Sequence, residues 1–213
     1  MADKSLIYVV DPMCSWCWGF SPIFEVIVRE YRGRVPVQIM LGGLRPGNTT
    51  PFDAQKREYI LRHWRAVHQR TGQPFNFTFH MSSDFTYDTE PSSRAVRVVR
   101  RLAPAHELDY LKGVQEAFYV KNWDVTRETV LREIAEGQGV DPVLFSGLFR
   151  DPHMKQDTWG EFARARERGV DSFPTLLGRH VKNYSILTHG YQALDQLTPV
   201  IDHWLTGGND MTT

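Results

Sequence analysis

The chain has 213 residues, of which 41% are apolar, 12% aromatic and 23% charged, the profile of an ordinary globular domain able to bury its own core. Twenty-five basic side chains balance twenty-five acidic ones, so charge supports neither nucleic-acid wrapping nor electrostatic attachment to a membrane. No stretch approaches the roughly 18 consecutive apolar residues of a membrane span, and the short run Leu6 to Val10 is followed at once by Asp11; a cytoplasmic location is the expectation.

Residues 5–10 (SLIYVV) are rich in β-branched and aromatic side chains and predict a short buried strand, broken by Asp11-Pro12. Trp16, Phe20, Ile23, Phe24, Ile27, Val28 and Tyr31 then recur at helical spacing, with Pro22 inside the pattern as a source of a kink. Val35 to Leu41 (VPVQIML) predicts a second strand, ended by Gly42-Gly43 as a turn. Strand, helix and strand in so short a span form the pattern of a βαβ unit with a parallel pair. Helix formers dominate from 49 to 169, in segments 53–71, 91–102, 105–121, 126–137, 141–149 and 158–168. Asp141-Pro142 and Asp151-Pro152 read there as N-caps followed by first-turn prolines. The aromatic-rich stretch from Gln73 to Thr89 has no period and reads as an irregular excursion over the surface. Strand character returns in 173–177 (FPTLL) and 181–188 (VKNYSILT), around Gly178-Arg179-His180 as the turn of an antiparallel hairpin. A last amphipathic helix carries Leu194, Leu197, Ile201 and Leu205, and residues 208–213 have the composition of a disordered tail.

The two cysteines, Cys14 and Cys17, stand three apart where the first strand hands over to the first helix. A bridge between them closes a trivial loop and constrains almost none of the unfolded chain, so pairing there would serve chemistry rather than stability. Unpaired N–H groups and the macrodipole at a helix start stabilise a thiolate, the species that attacks a disulfide. Cys14, at the tip, is expected to be the exposed nucleophile, and Cys17, one turn inward, to resolve the mixed disulfide; both sulfurs are expected to be unusually acidic. A structural zinc site lacks the further ligands it needs, and two inert buried thiols are the bland alternative. The histidines show no metal-binding helical spacing, and no phosphate-binding glycine motif is present. Trp16, Trp18 and Phe20 cluster around the motif, with Phe20 expected in the core and Trp16 outermost. Arg94, Arg97 and Arg101 share a helix face and read as a solvated face rather than an anion site.

This order of elements, with CSWC at a helix start and a Phe-Pro-Thr opening the late hairpin, is similar to the thioredoxin fold carrying a large helical insertion. DPMCSWCWGF and ARERGVDSFPTLL resemble the FrnE-like group of DsbA-type oxidoreductases, related to 2-hydroxychromene-2-carboxylate isomerase and kappa-class glutathione transferase. The resemblance implies an α/β thioredoxin-like fold divided as 1–48, a helical insertion over 49–169, and a second half over 170–207. It implies a thiol–disulfide oxidoreductase or isomerase in which Cys14 and Cys17 react. Pro174 is the candidate cis-proline, and Phe173, Trp16 and Ser15 are candidates for positioning substrate. Asp11 is either the proton acceptor or a cap of the helix. Three departures matter. Ser15-Trp16 replaces the Pro-His of the best-known oxidising member and implies a less oxidising pair; Tyr8 stands where a buried carboxylate is often found; and Cys14 stands where the isomerase and transferase relatives carry serine. No bound cofactor or metal is expected. Thiol or disulfide compounds are the expected partners, with glutathione a candidate redox partner. A glutathione-dependent isomerase or transferase acting on an aromatic small molecule, and a peptide-binding module or holdase without catalysis, are the alternatives.

Overall fold

The computed structural model describes residues 4–82 and 84–207; the expected tail at 208–213 lies outside them. Strand β1 (Lys4–Val10) is buried along six of its seven residues because elements cover both of its faces. Helix α1 (Ser15–Tyr31) carries the chain back so that β2 (Val37–Leu41) lies parallel to β1, with Leu6 opposite Val37 and Val10 opposite Leu41. Strand β3 (Thr175–His180) joins the other side of β1 antiparallel, and β4 (Asn183–His189) pairs antiparallel with β3. The sheet order is therefore β2-β1-β3-β4, built from the two ends of the chain, and helix α8 (Leu194–Thr206) closes one face.

Pro22 lies within α1 and has no N–H for the carbonyl of Trp18. That carbonyl instead accepts from the Ser21 hydroxyl and from Gln73 Nε2, both at 2.9 Å. The defect thereby ties α1 to the segment that follows α2.

The hairpin turn falls at Val181-Lys182, not at Gly178. Gly178 sits inside β3 because a Cβ there would lie 2.3 Å from the Trp204 ring of α8. Val181 takes the left-handed backbone of the turn instead, with φ of 57°.

Between the sheet halves lie α2 (Ala54–Thr71), α3 (Glu90–Leu102), α4 (Glu107–Tyr119), α5 (Glu128–Glu136), α6 (Pro142–Arg150) and α7 (Pro152–Glu167). Asp141 and Asp151 cap α6 and α7, accepting from the amides of Val143 and His153, each at 2.8 Å. Helix α7 thus starts at its cap, six residues before the predicted 158, in a largely solvated first turn with little apolar period. The stretch 73–89 is irregular, but it does not run over the surface. Phe79, Phe85 and Tyr87 are buried and pack against Phe118, with Trp64 4.4 Å from Phe79; aromatic area drives the segment inward without regular hydrogen bonding.

Of the three arginines expected on a solvated face of α3, Arg101 is exposed, but Arg94 and Arg97 are drawn into ion pairs, as is Arg100. Arg94 pairs with Glu90, Arg97 with Asp157 and Glu161, and Arg100 with Glu107 and Glu161. Glu161 is buried and also accepts the Leu41 amide at 2.8 Å, so α3 and α7 are clamped onto the end of β2. Among the described residues no helix is long and apolar enough to cross a membrane.

Candidate active site

The turn Asp11–Cys14 delivers the chain from β1 into α1, and the amide of Cys14 donates to the Asp11 carbonyl at 3.1 Å. Cys14 is itself the N-cap of α1, in extended backbone, and its sulfur accepts the Cys17 amide at 3.4 Å. The helix terminus therefore directs an N–H group at the first sulfur, where a negative charge is favoured. No acidic side chain occupies the first turn.

Cys14 is not exposed as the sequence suggested: it retains 5% of its surface, and Cys17 none. The residue that covers the first sulfur is Phe173, whose carbonyl lies 3.6 Å from Cys14 Sγ. The Phe173–Pro174 peptide bond is cis. No disulfide links the two sulfurs in this structure. Burial pushes the Cys17 thiol well above its ordinary range, with the neighbouring Cys14 sulfur adding to the rise. For Cys17 the expected acidity is overturned, because loss of solvation outweighs the dipole one turn inside the helix.

Asp11 does not cap α1, since Cys14 takes that role. Its carboxylate is fully buried and accepts from the amides of Met13 at 2.8 Å and Leu44 at 2.6 Å. Burial pushes its pKa up to about 6, against the lowering effect of those amides and the Thr89 hydroxyl. Asp11 is near enough to Cys17 for its charge to oppose the Cys17 thiolate.

Trp16 is half-buried and stands 5.7 Å from the ring of Tyr191. Phe20 is wholly buried and Trp18 nearly so, which leaves Trp16 outermost of the three. Ser15 is the first helical residue and half-buried. Trp16, Phe173, Gly190, Tyr191 and Arg70 line a cavity of about 420 Å³, which shares Phe173 with the contact to the first sulfur. On the opposite side, Gly42 is more than a turn, for a Cβ there would lie 1.9 Å from the Phe173 ring.

Sequence reasoning missed four contributors. Tyr87 donates its hydroxyl to the Met13 carbonyl at 2.7 Å and braces the residue before Cys14. Leu44 and Thr89 solvate Asp11. Arg70 comes from the last turn of α2 and sets its guanidinium 5.8 Å from the Tyr191 ring. None belongs to a motif, and only the packing of the helical block against the sheet brings them here. Among the described residues no group of three or more His, Cys, Asp or Glu is placed to hold a metal ion.

A family model for the DSBA-like thioredoxin domain matches residues 5–202. The chain belongs to that family. Among solved structures it is similar to a candidate protein disulfide isomerase from Nitrosomonas europaea, at 37% identity and a TM-score of 0.89 over 96% of this chain and 98% of that one. It shares the fold of the cytosolic disulfide reductase DsbM from Pseudomonas aeruginosa, at 23% identity and a TM-score of 0.73 over 95% of each chain; that reductase has also been solved with GSH. A 2-hydroxychromene-2-carboxylate isomerase shares the fold at 15% identity and a TM-score of 0.65, over 98% of this chain and 99% of that one. Among curated proteins the chain is 25% identical over 172 residues to the ClpXP adapter protein SpxH of Halalkalibacterium halodurans. That match covers 79% of this chain and 56% of the adapter, so the DSBA-like chain spans little more than half the length of such relatives.

Proposed function

We propose that the protein is a thiol–disulfide oxidoreductase using Cys14 and Cys17. The observation that carries this reading is the placement of Cys14 Sγ, which caps α1 through the Cys17 amide at 3.4 Å and faces the Phe173 carbonyl at 3.6 Å. In the reduced protein the Cys14 thiolate attacks one sulfur of a substrate disulfide. A Cys14–substrate disulfide forms and the other substrate half leaves as thiolate. The buried Cys17 thiol then loses its proton, with Asp11 as the acceptor, and attacks Cys14 Sγ. The Cys14–Cys17 disulfide forms and the second substrate half departs as a thiol. Two thiols of a partner such as glutathione return the protein to its dithiol state and become a disulfide. In a reducing compartment such as the cytoplasm the net direction is reduction or isomerisation.

Phe173 and Pro174 supply the backbone edge against which the partner lies, and Trp16 and Tyr191 its apolar wall, with Ser15 at the helix tip. Arg70 places a positive charge on the rim of the same cavity, which suits the carboxylates of glutathione. The decisive experiment is insulin reduction by the wild type and by Cys14→Ser. Loss of turnover in the variant is expected; unchanged turnover would overturn the proposal.

Likeness to the SpxH adapter favours a second reading, in which the domain binds a protein partner without turnover. Retention of partner binding by Cys14→Ser, together with no insulin reduction by the wild type, would select it.

A further inference from the structure

We propose that the exposed face of α6 is a docking surface for a second copy of this chain, met antiparallel across a two-fold axis. Helix α6 (Pro142–Arg150) turns Phe145 and Phe149 into the core, where it packs against α3, α5 and α7. Its other face carries Val143, Leu144, Gly147 and Leu148, which helical spacing places side by side. Val143 is 78% exposed and Leu144 57%, and no other large apolar side chain among the described residues is as open to solvent as Val143. Apolar side chains scattered singly over a surface need no partner, whereas a contiguous face of them marks an interaction site.

The second copy follows from the order of residues, because the face is complementary to itself when reversed. A two-fold axis passing between Phe145 and Ser146 sets Val143 of one copy opposite Leu148 of the other, Leu144 opposite Gly147, and Asp141 opposite Arg150. Each of these pairs is made twice, as an isologous interface requires. Gly147 supplies the depth. A Cβ there would meet nothing within 4 Å, and its absence leaves bare backbone that a leucine of the other copy approaches closely.

The charges select the antiparallel arrangement. Asp141 holds the amides of Val143 and Leu144, at 2.8 and 3.0 Å, through Oδ1 alone. Arg150 meets Glu128 through Nε at 2.9 Å, and its side chain is 69% exposed. Among the described residues, Asp141 Oδ2 and the two terminal nitrogens of Arg150 have no hydrogen-bond partner, and these are the groups that the axis brings opposite each other at both ends. Antiparallel packing also lays the positive end of each helix beside the negative end of the other. A parallel pair would set acid against acid and base against base. The nine residues of α6 reach only about 13 Å. The contact therefore falls below the roughly 1,200 Å² of a standard interface, and its dissociation constant is expected on the order of 100 μM.

Sedimentation equilibrium of the full chain, with reductant present so that Cys14 cannot link two molecules, tests the surface. Loading from about 10 μM to about 1 mM brackets the expected constant, and the wild type is expected to pass from monomer to dimer across it. Val143→Glu/Leu144→Glu changes only exposed positions and is expected to remain a folded monomer throughout. Arg150→Glu sets like charges opposite each other at both ends and is expected to weaken association about fivefold or more. Gly147→Ala favours the helix in the monomer yet fills the place of the approaching leucine, and it is expected to weaken association while leaving the urea midpoint at or above that of the wild type. A wild type still monomeric at about 1 mM, which would hand the face to an unlike protein, would overturn the proposal. Dimerisation of the double glutamate variant at the wild-type constant would overturn it too, and a dimer indifferent to Arg150→Glu would overturn the antiparallel register. Insulin reduction, which calls on none of these residues, reads the dithiol proposal separately.

Discussion

The Asp11 carboxylate holds the Leu44 amide at 2.6 Å, joining the turn before the cysteines to the loop after β2 through a fully buried charge. With its pKa pushed from 3.8 to about 6, folded Asp11 keeps a proton that the unfolded chain releases between those values. The folded state therefore binds more protons there, and the contribution of Asp11 to stability falls as pH rises from about 4 to about 6 and is level above. Two units correspond to about 3 kcal/mol. Denaturant unfolding at pH 4.5 and 7.5 is expected to show about 2 kcal/mol of it in the wild type but not in Asp11→Asn. Parallel pH profiles would remove the case for a perturbed Asp11.

The same group sets an expected kinetic profile. If Asp11 accepts the Cys17 proton, release of a Cys14 mixed disulfide slows as pH falls through about 6. Single-turnover release measured across that range is expected to lose this inflection in Asp11→Asn, with a rate at least about 100-fold lower at pH 7.5. An inflection that survives the substitution would assign the proton to another acceptor.

Two glycines separate positioning from stability. A methyl at Gly42 meets the Phe173 ring at 1.9 Å, and one at Gly178 meets Trp204 at 2.3 Å. Each alanine variant is expected to lose about 1–3 kcal/mol, read from urea unfolding. Only Gly42→Ala is expected to lower insulin reduction in the folded protein as well, because it displaces the residue whose carbonyl faces Cys14 Sγ. Equal activities would mean that the Phe173 backbone does not position substrate.

A buried carboxylate ties the helical block to the end of β2. Glu161 takes the Leu41 amide at 2.8 Å and pairs with Arg97 and Arg100. Removing it leaves both guanidiniums without their buried partner, a loss of about 3–5 kcal/mol by comparison with other buried pairs. Glu161→Ala is therefore expected to unfold at markedly lower urea concentration, and a midpoint near the wild-type value would show the clamp to be dispensable.

The fold was legible where local chemistry decides it. The buried strand at 5–10, the cysteines at a helix start, the capping aspartates and the family resemblance of both motifs all lie within short windows. What escaped depends on distant partners. Gly178 looks like a turn until Trp204 from α8 is laid against it, and the burial of 73–89 follows from Trp64 and Phe118 on two other helices. The environment of Cys14 was misjudged for the same reason, because the residue that covers it is 159 positions away.

Tyr8 stands on β1 with its hydroxyl 3.4 Å from the Cys17 carbonyl and within hydrogen-bonding reach of the Cys17 thiol. Phe24, 4.1 Å away between ring centroids, and Phe20 hold the ring in place. Burial keeps this phenol protonated well past its usual range, so its hydroxyl can turn its proton from the Cys17 carbonyl to the Cys17 thiolate as that forms. One such bond is worth about 1 kcal/mol, so Tyr8→Phe is expected to slow release of a Cys14 mixed disulfide by about fivefold. Formation of the mixed disulfide, which does not require ionised Cys17, is expected to proceed at the wild-type rate. Stopped-flow separation of the two steps checks this, and equal slowing of both would mean that the hydroxyl supports α1 rather than the resolving sulfur.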